Sequence, residues 1–246
     1  MKKNLCLAVL FLAAACATTG GPPRLSSEEY YRQAVQLVAS RKYLAAKESL
    51  VEATNRYRSG DLDASLLELL GEVHFQLEEY EDVARVSDEF LRLHPRHPKA
   101  PAVRLRMGRA YLAMVRSTDR SQQNTQRALE TFRRIQEYHP HTPEAAEAVP
   151  LAGQARDLLA ESEILVAEFY RRRGNYAGAI GRLESVLRDY PGSGQEERAL
   201  FLTGECFRLS QRPSQAAEYY TRLLERYPEG SYAGLARTQL RERSGS

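Results

Sequence analysis

The feature that most limits how this chain can fold is a recurring small residue set among apolar ones. Ala34, Gly71, Gly108, Ala167 and Gly204 are spaced 37, 37, 59 and 37 residues apart. Self-similarity at such a period means one supersecondary unit repeated and stacked, because a unit of that size cannot bury its apolar face alone. The companions recur with the markers. Behind Gly204 come Phe207, Pro213, Ala216, Tyr220, Leu223 and Pro228; behind Ala167 come Tyr170, Tyr176, Ala179, Leu183, Val186 and Pro191. Behind Gly71 come Tyr80, Val83, Phe90 and Pro95, and behind Ala34 come Tyr43, Ala46, Leu50 and Ala53. Small residues let two helices cross closely, apolar residues at i, i+3 and i+4 build an inner face, and proline stops the second helix.

The expected fold is therefore all-α, a right-handed superhelix of five tetratricopeptide-like helix hairpins with a C-terminal capping helix. The repeats fall at about 27–60, 61–97, 98–142, 143–193 and 194–230, with the cap at about 231–242. Ser26-x-x-Glu29 reads as a capping box opening the first helix. The first repeat carries Arg58 in place of the closing proline, with Ser59-Gly60 as its turn. The 59-residue interval breaks the rhythm in two places. Eight extra residues lie between the third pair's helices, around Arg116 to Thr125, and fourteen lengthen the next helix backwards. The fourth repeat's first helix is thus elongated, from near Glu144 to Arg173, with Pro150 as a kink or a restart. An overlong helix beside a polar loop at mid-array points to a divide between two partner surfaces.

The two ends speak to location. Lys2 and Lys3 precede an apolar run from Leu5 to Ala15, shorter than the about 20 residues a spanning helix needs but suited to a secretory leader. The run ends in Ala13-Ala14-Ala15-Cys16, similar to the lipobox of bacterial lipoproteins, with Ala13 where leucine is usual. The division predicted is a signal peptide at 1–15, a lipidated tether at 16–25 starting at Cys16, and a repeat domain at 26–246. The alternative is an ordinary leader cut near an Ala-x-Ala site. By the same likeness to lipoproteins, Ala17 after the cysteine favours the outer membrane over the inner, and several acyl chains hold a protein on a leaflet without a spanning helix. Of three cysteines, Cys6 leaves with the leader, Cys16 is the lipid site, and Cys206 sits in an apolar helix as a small hydrophobe. A net charge of +3, two of it from Lys2 and Lys3, argues against a nucleic-acid partner.

Chemistry is sparse. The chain lacks a glycine-rich phosphate loop, a CxxC, an HExxH and a nucleophile elbow, so no catalytic residue, cofactor or metal site is predicted. His94, His97, His139 and His141 sit in His-Pro turns without ligand partners at the right spacing. First helices should line the concave surface, through Tyr31, Val35, Glu72, Phe75, Arg109 and Leu112, and further along through Phe201, Glu205 and Arg208. Aromatics mixed with both charge signs suit an extended peptide better than a small molecule. Arg171-Arg172-Arg173 and the arginines at 104, 106, 109, 116 and 120 are either a surface for an acidic partner or a solvated face.

Three segments carry a family resemblance: LRLHPRHP from Leu91 to Pro98, RALETFRRIQEYHPHTPEA behind the Asp119-Arg120 loop, and AEFYRRRGNYAGAIGRLESVLRDYP from Ala167 to Pro191. With the lipobox, the five repeats and the long fourth-repeat helix, they resemble the BamD family of outer-membrane assembly lipoproteins. The resemblance implies a periplasm-facing component of the β-barrel assembly machine. Its C-terminal repeats would dock on a POTRA domain of the BamA-like barrel protein, and its N-terminal repeats would take up C-terminal segments of unfolded outer-membrane proteins. Other accessory lipoproteins are implied as partners, and the membrane through the lipid. Two family positions carry over as partner-binding residues: Tyr57, in Asn55-Arg56-Tyr57, and Arg182, in Gly181-Arg182-Leu183-Glu184. The residues alone leave Tyr57 equally suited to plug the space between hairpins, and Arg182 to a solvated face. The chain departs from the family in having no proline after Tyr57 and a short third-repeat insertion without an aromatic-glycine stretch. The other reading is a different lipidated repeat adaptor of the envelope, in cell division or Tol-Pal coordination, since Tyr227 to Ser231 is common there too. A module that accompanies an enzyme is a third.

Overall fold

The small markers set where helices end. In the computed structural model, which describes residues 25–57, 62–115 and 122–244, all regular structure is α-helical. The hairpins are α1 Ser27–Ala39 with α2 Tyr43–Arg56, α3 Asp63–Gln76 with α4 Tyr80–Leu93, α5 Ala100–Ala113 with α6 Gln123–Tyr138, α7 Pro143–Arg172 with α8 Tyr176–Asp189, and α9 Glu196–Leu209 with α10 Pro213–Arg226. The capping helix α11, Ala233–Ser244, follows. Every first helix stops five residues after its marker. Every second helix stops twenty-two after it, once the eight inserted residues of the third repeat are set aside. The leader, Cys16 and its tether up to residue 24, the Arg58 to Gly60 turn and residues 116–121 of the insertion lie outside the described residues.

Both turns repeat in detail. Between first and second helices, the residue seven after the marker takes a left-handed conformation: Arg41 (φ 57°), Glu78 (58°), Gly174 (74°) and Gln211 (58°). The next amide reaches back five residues, Lys42 N to Leu37 O at 2.9 Å and Arg212 N to Phe207 O at 2.9 Å, which satisfies the last carbonyls of the helix in a Schellman motif. At the far end of each hairpin an aromatic ring caps the second helix: Tyr57, His94, His139, Tyr190 and Tyr227. The predicted capping box is present, with Glu29 N donating to Ser26 Oγ (3.3 Å) and Ser26 N to Glu29 Oε2 (2.6 Å).

The markers sit where helices cross. A Cβ at Gly108 would lie less than 3.0 Å from three ring atoms of Phe132, and one at Gly204 equally close to Tyr220. Overpacking of that kind costs about 1–3 kcal/mol. Consecutive helices pack together, and each first helix also touches the next first helix, from α1 through α9, so first helices share one side of the array.

The core falls into three clusters. The first gathers Leu50, Leu66, Val73 and Phe90; the second, Phe132, Ile135 and Leu159; the third, Ile164, Leu183, Leu200 and Leu223. The long helix α7 joins the last two. Its stripe Ala145, Ala148, Ala152 and Ala155 packs in the second cluster, while Ala160, Ile164 and Ala167 pack in the third. Thr142 caps it, accepting from Ala145 N at 3.3 Å. Pro150 neither breaks nor restarts it: the helix is continuous over 30 residues. The proline faces solvent, where water can take the carbonyl its missing N–H leaves free.

Candidate functional site

The candidate groove residues come from α1 (Tyr31, Val35), α3 (Glu72, Phe75) and α5 (Arg109, Leu112), with Phe201, Glu205 and Arg208 on α9. Val35 is exposed, while Tyr31, Phe75 and Leu112 are half-buried. Phe75 turns edge-on to Tyr80 at 5.8 Å, and Leu112 packs on the second cluster. The charges of this side are mostly tied across neighbouring first helices. Arg106 of α5 bonds Glu68 and Glu72 of α3, both at 3.0 Å. Arg109 reaches Glu147 of α7 at 2.6 Å, and Arg198 of α9 reaches Glu168 of α7 at 2.7 Å. The Arg109–Glu147 pair, half in water, contributes little net stability, and together the pairs fix how the helices register. On α9, Phe201 stacks on Tyr232 at 5.0 Å, and Glu205 accepts from both Tyr220 and Arg208. Burial works against the Glu205 carboxylate, yet those hydrogen bonds outweigh it and hold its pKa below the usual range.

The two residues carried over from the family are apart, one in the first repeat and one in the fourth. Tyr57 caps α2, its ring 6.3 Å from that of Tyr30, and its hydroxyl donates to the carbonyl of Leu25 at 2.6 Å. It thus plugs the opening of the first hairpin, at the position that His94, His139, Tyr190 and Tyr227 fill in the other repeats. Arg182 is exposed on α8 and donates to Glu163 of α7 at 3.1 Å. That hydrogen bond, and next the charge of Glu163, raise its pKa.

Two exposed side chains on α7 escaped the sequence reading. Leu165 is 37% exposed and Phe169 47%, with the Arg173 guanidinium 5.0 Å from the Phe169 ring centre. They stand two before and two after the marker Ala167. At the same offsets Leu69 and Val73 of α3, Arg106 and Ala110 of α5, and Leu202 and Cys206 of α9 are buried or half-buried. The extension of α7 explains the difference. The partner of α5 on α7 is Glu147, twenty residues before Ala167 and so roughly 30 Å along the helix. This flank of α7 is therefore left without a first helix over it. The signal was in the sequence: a lengthened helix carrying apolar residues where its repeats bury them.

The other chemistry-bearing groups are structurally engaged. Cys206 is fully buried, which pushes its thiol up to about 11. His94 pairs through Nε2 with the buried Asp63 carboxylate at 2.9 Å, tying the end of α4 to the start of α3. His74, Glu79 and Asp82 offer ligand atoms within 4.8 Å of one another, a cluster sequence reading overlooked. Its Glu79 is already neutralised by the Lys47 ammonium at 2.5 Å and bonded to His74 Nδ1 at 2.7 Å. Among the described residues no helix is long and apolar enough to cross a membrane.

Comparison with known proteins places this geometry. The family model described as YfiO, outer membrane lipoprotein, matches residues 23–221. The outer membrane protein assembly factor BamD of Neisseria gonorrhoeae is 24% identical over 256 residues, covering 94% of this chain and 94% of its own length. The BamD of Vibrio cholerae is 23% identical over 211 residues, covering 82% of this chain and 88% of its own. A solved TPR repeats protein of Bacteroides fragilis superposes with a TM-score of 0.54 at 12% identity, covering 89% of this chain and 100% of that one. That likeness speaks to the fold alone, a stack of helix hairpins.

Proposed function

The chain belongs to the YfiO family of outer membrane lipoproteins, the family of the BamD assembly factors, and from that membership we propose that it is a non-catalytic scaffold of the outer-membrane β-barrel assembly complex. It binds C-terminal segments of unfolded outer-membrane proteins and a POTRA domain of a BamA-like barrel protein. Lipidated Cys16 holds it on the periplasmic face of the outer membrane. The observation that carries this reading is the family match, which begins ahead of α1 and runs into α10, so that it takes in nearly all of the hairpin array.

The fold supports a scaffold role in a specific way. A stack of hairpins presents long surfaces and few enclosed ones, which suits extended chains. The neutralised charges of the first-helix side leave apolar and aromatic side chains as the energetic anchors, Val35 and Tyr31 at one end and Leu165 with Phe169 at the middle. Hot spots of binding are of that kind: exposed apolar groups that lose water on contact. Arg182 meets an acidic group of the BamA-like partner by exchanging or sharing its bond with Glu163, and Tyr57 meets the incoming segment at the opening of the first hairpin.

Pull-downs test the assignments. Tyr57→Ala weakens capture of a peptide copied from the C-terminus of a barrel protein, and Tyr57→Phe, which removes only the bond to Leu25, does not. Arg182→Glu weakens association with the POTRA domain. Unchanged capture in Tyr57→Ala and Arg182→Glu would remove both residues from the partner surfaces. Cys16→Ser should release the protein from membranes; retention in the membrane pellet would argue against lipidation.

A further inference from the structure

The arginines singled out in the sequence separate in space. Arg106 and Arg109 are consumed by ion pairs between first helices. Arg104 is different. It lies on α5 one turn before Gly108, on the opposite side from those pairs, and lines a groove of about 400 Å³ between the second helices α4 and α6. Its guanidinium is half-buried, and its Nε is fully buried with no hydrogen-bond partner among the described residues. Burial, and after it the charge of Arg134, lower its pKa.

Holding a guanidinium half out of water without a carboxylate is unfavourable, and folding alone gives no reason for it. The surroundings sharpen the point. Arg92 enters from α4, and Arg127 from α6 lies over the ring of Tyr111 at 5.8 Å. Arg134 of α6 is paired with Glu130 at 2.9 Å, and Asp88 stands exposed at the rim. Positive charge therefore remains in excess within the groove. The lining also includes Leu91, Met107 and Tyr111, apolar or aromatic surface between the charges.

We propose that this groove on the second-helix side is a docking site for an acidic segment of a protein partner, one carboxylate seating on Arg104 and an adjacent apolar side chain resting on Met107 and Tyr111. Guanidinium and carboxylate match as a planar, two-bond pair, and the missing partner of Arg104 is an acceptor of that kind. The mixed lining favours a peptide over a phosphate-bearing surface, because a phosphate group would gain nothing from the apolar surface of Leu91, Met107 and Tyr111. The groove has α5 as its floor but lies on the opposite side of that helix from the Arg106 and Arg109 ion pairs, so it is separate from the first-helix surface, and it does not rest on the assembly role proposed above.

The test uses the full-length protein in detergent and a fluorescein-labelled peptide of alternating glutamate and leucine, with the glutamine-leucine peptide and inorganic phosphate as the other arms. Binding of the acidic peptide, weakened by about tenfold or more in Arg104→Met, is expected, since one charge-assisted contact carries about that factor. Arg188→Met, which removes the same charge from α8, leaves binding unchanged. Arg104→Met should also melt no lower than the wild-type protein, because it removes an uncompensated cation; Arg127→Met is the second variant should that one fail to fold. Equal binding of the glutamine peptide, equal competition by phosphate at matched ionic strength, or full binding by both Arg104→Met and Arg127→Met would overturn the proposal.

Discussion

Helices α1 and α7 are both first helices with an uncovered flank, and they finish that flank in opposite ways. In α1 the exposed positions are Arg32 and Gln36, as expected of a helix that closes the end of an array and meets water. In α7 the same offsets carry Leu165 and Phe169, at 37% and 47% exposure, well inside the array. The array thus restarts at α7, but the restart is apolar. A terminal cap is selected for solubility, whereas an uncovered apolar ledge within the array is a surface to test for contact with another chain. The overlong helix does both jobs at once, joining two core clusters through its buried side and presenting the ledge on its other side.

The sharpest test compares neighbours. Ile164 is fully buried against the third cluster and Leu165 is not. Ile164→Ala should destabilise by about 2–5 kcal/mol, and Leu165→Ala by less than about 0.5 kcal/mol, read as denaturant midpoints. Equal losses would mean the ledge is part of the core, and the comparison would fail. Next in size is binding. Leu165→Glu with Phe169→Glu should reduce capture of unfolded barrel precursors by about tenfold, equivalent to about 1.4 kcal/mol, with little change in melting temperature. The mirrored pair on α1, Arg32→Glu with Gln36→Glu, should leave capture alone; a loss from α1 as large as from α7 would erase the distinction.

The same two hairpins differ at their turns, where Arg41 (φ 57°) and Gly174 (φ 74°) hold the left-handed position. Gly174→Ala should cost about 1 kcal/mol. Arg41→Gly should gain less than that, since glycine also widens the unfolded ensemble; thermal melts of the pair give both signs. Smallest is a pH effect at the N-terminal end. The Lys47 hydrogen bond, against the opposing effect of burial and with help from His74, holds the Glu79 carboxyl below its ordinary pKa. A depressed carboxyl contributes stability above its unfolded pKa of about 4.3 and loses it as pH falls through the folded value. Glu79→Gln should therefore flatten the acid limb of melting temperature against pH; an unchanged limb would place the acid sensitivity elsewhere.

Local periodicity carried the fold. The offsets of Ala34, Gly71, Gly108, Ala167 and Gly204 foretold an all-α array of helix hairpins, and the fourteen surplus residues became the added turns of α7. Those features depend on spacing along one helix, which a sequence displays directly. Partnership across the stack was not legible. Arg106 and Glu68 are 38 residues apart, as are Arg109 and Glu147, so each pair is separated by about one repeat and meets only after stacking. Placing Glu72 and Arg109 along the groove from the repeat pattern said nothing of these partners. The role of Tyr57 in closing the first hairpin on Leu25, the exposure of Phe169 and the isolation of Arg104 share the same origin, since each depends on which helix does or does not lie alongside. Pro150 shows the converse: proline in a helix predicts a break, but on an exposed face late enough to be held by flanking turns the helix runs on.

The most direct test of a scaffold for barrel assembly is made in cells whose only copy of this protein is under repressible control. The quantity to measure is the fraction of outer-membrane barrel protein that reaches its heat-modifiable folded form as the protein is depleted. The account predicts that this fraction falls while septation stays normal. Barrels that fold normally in depleted cells would contradict it.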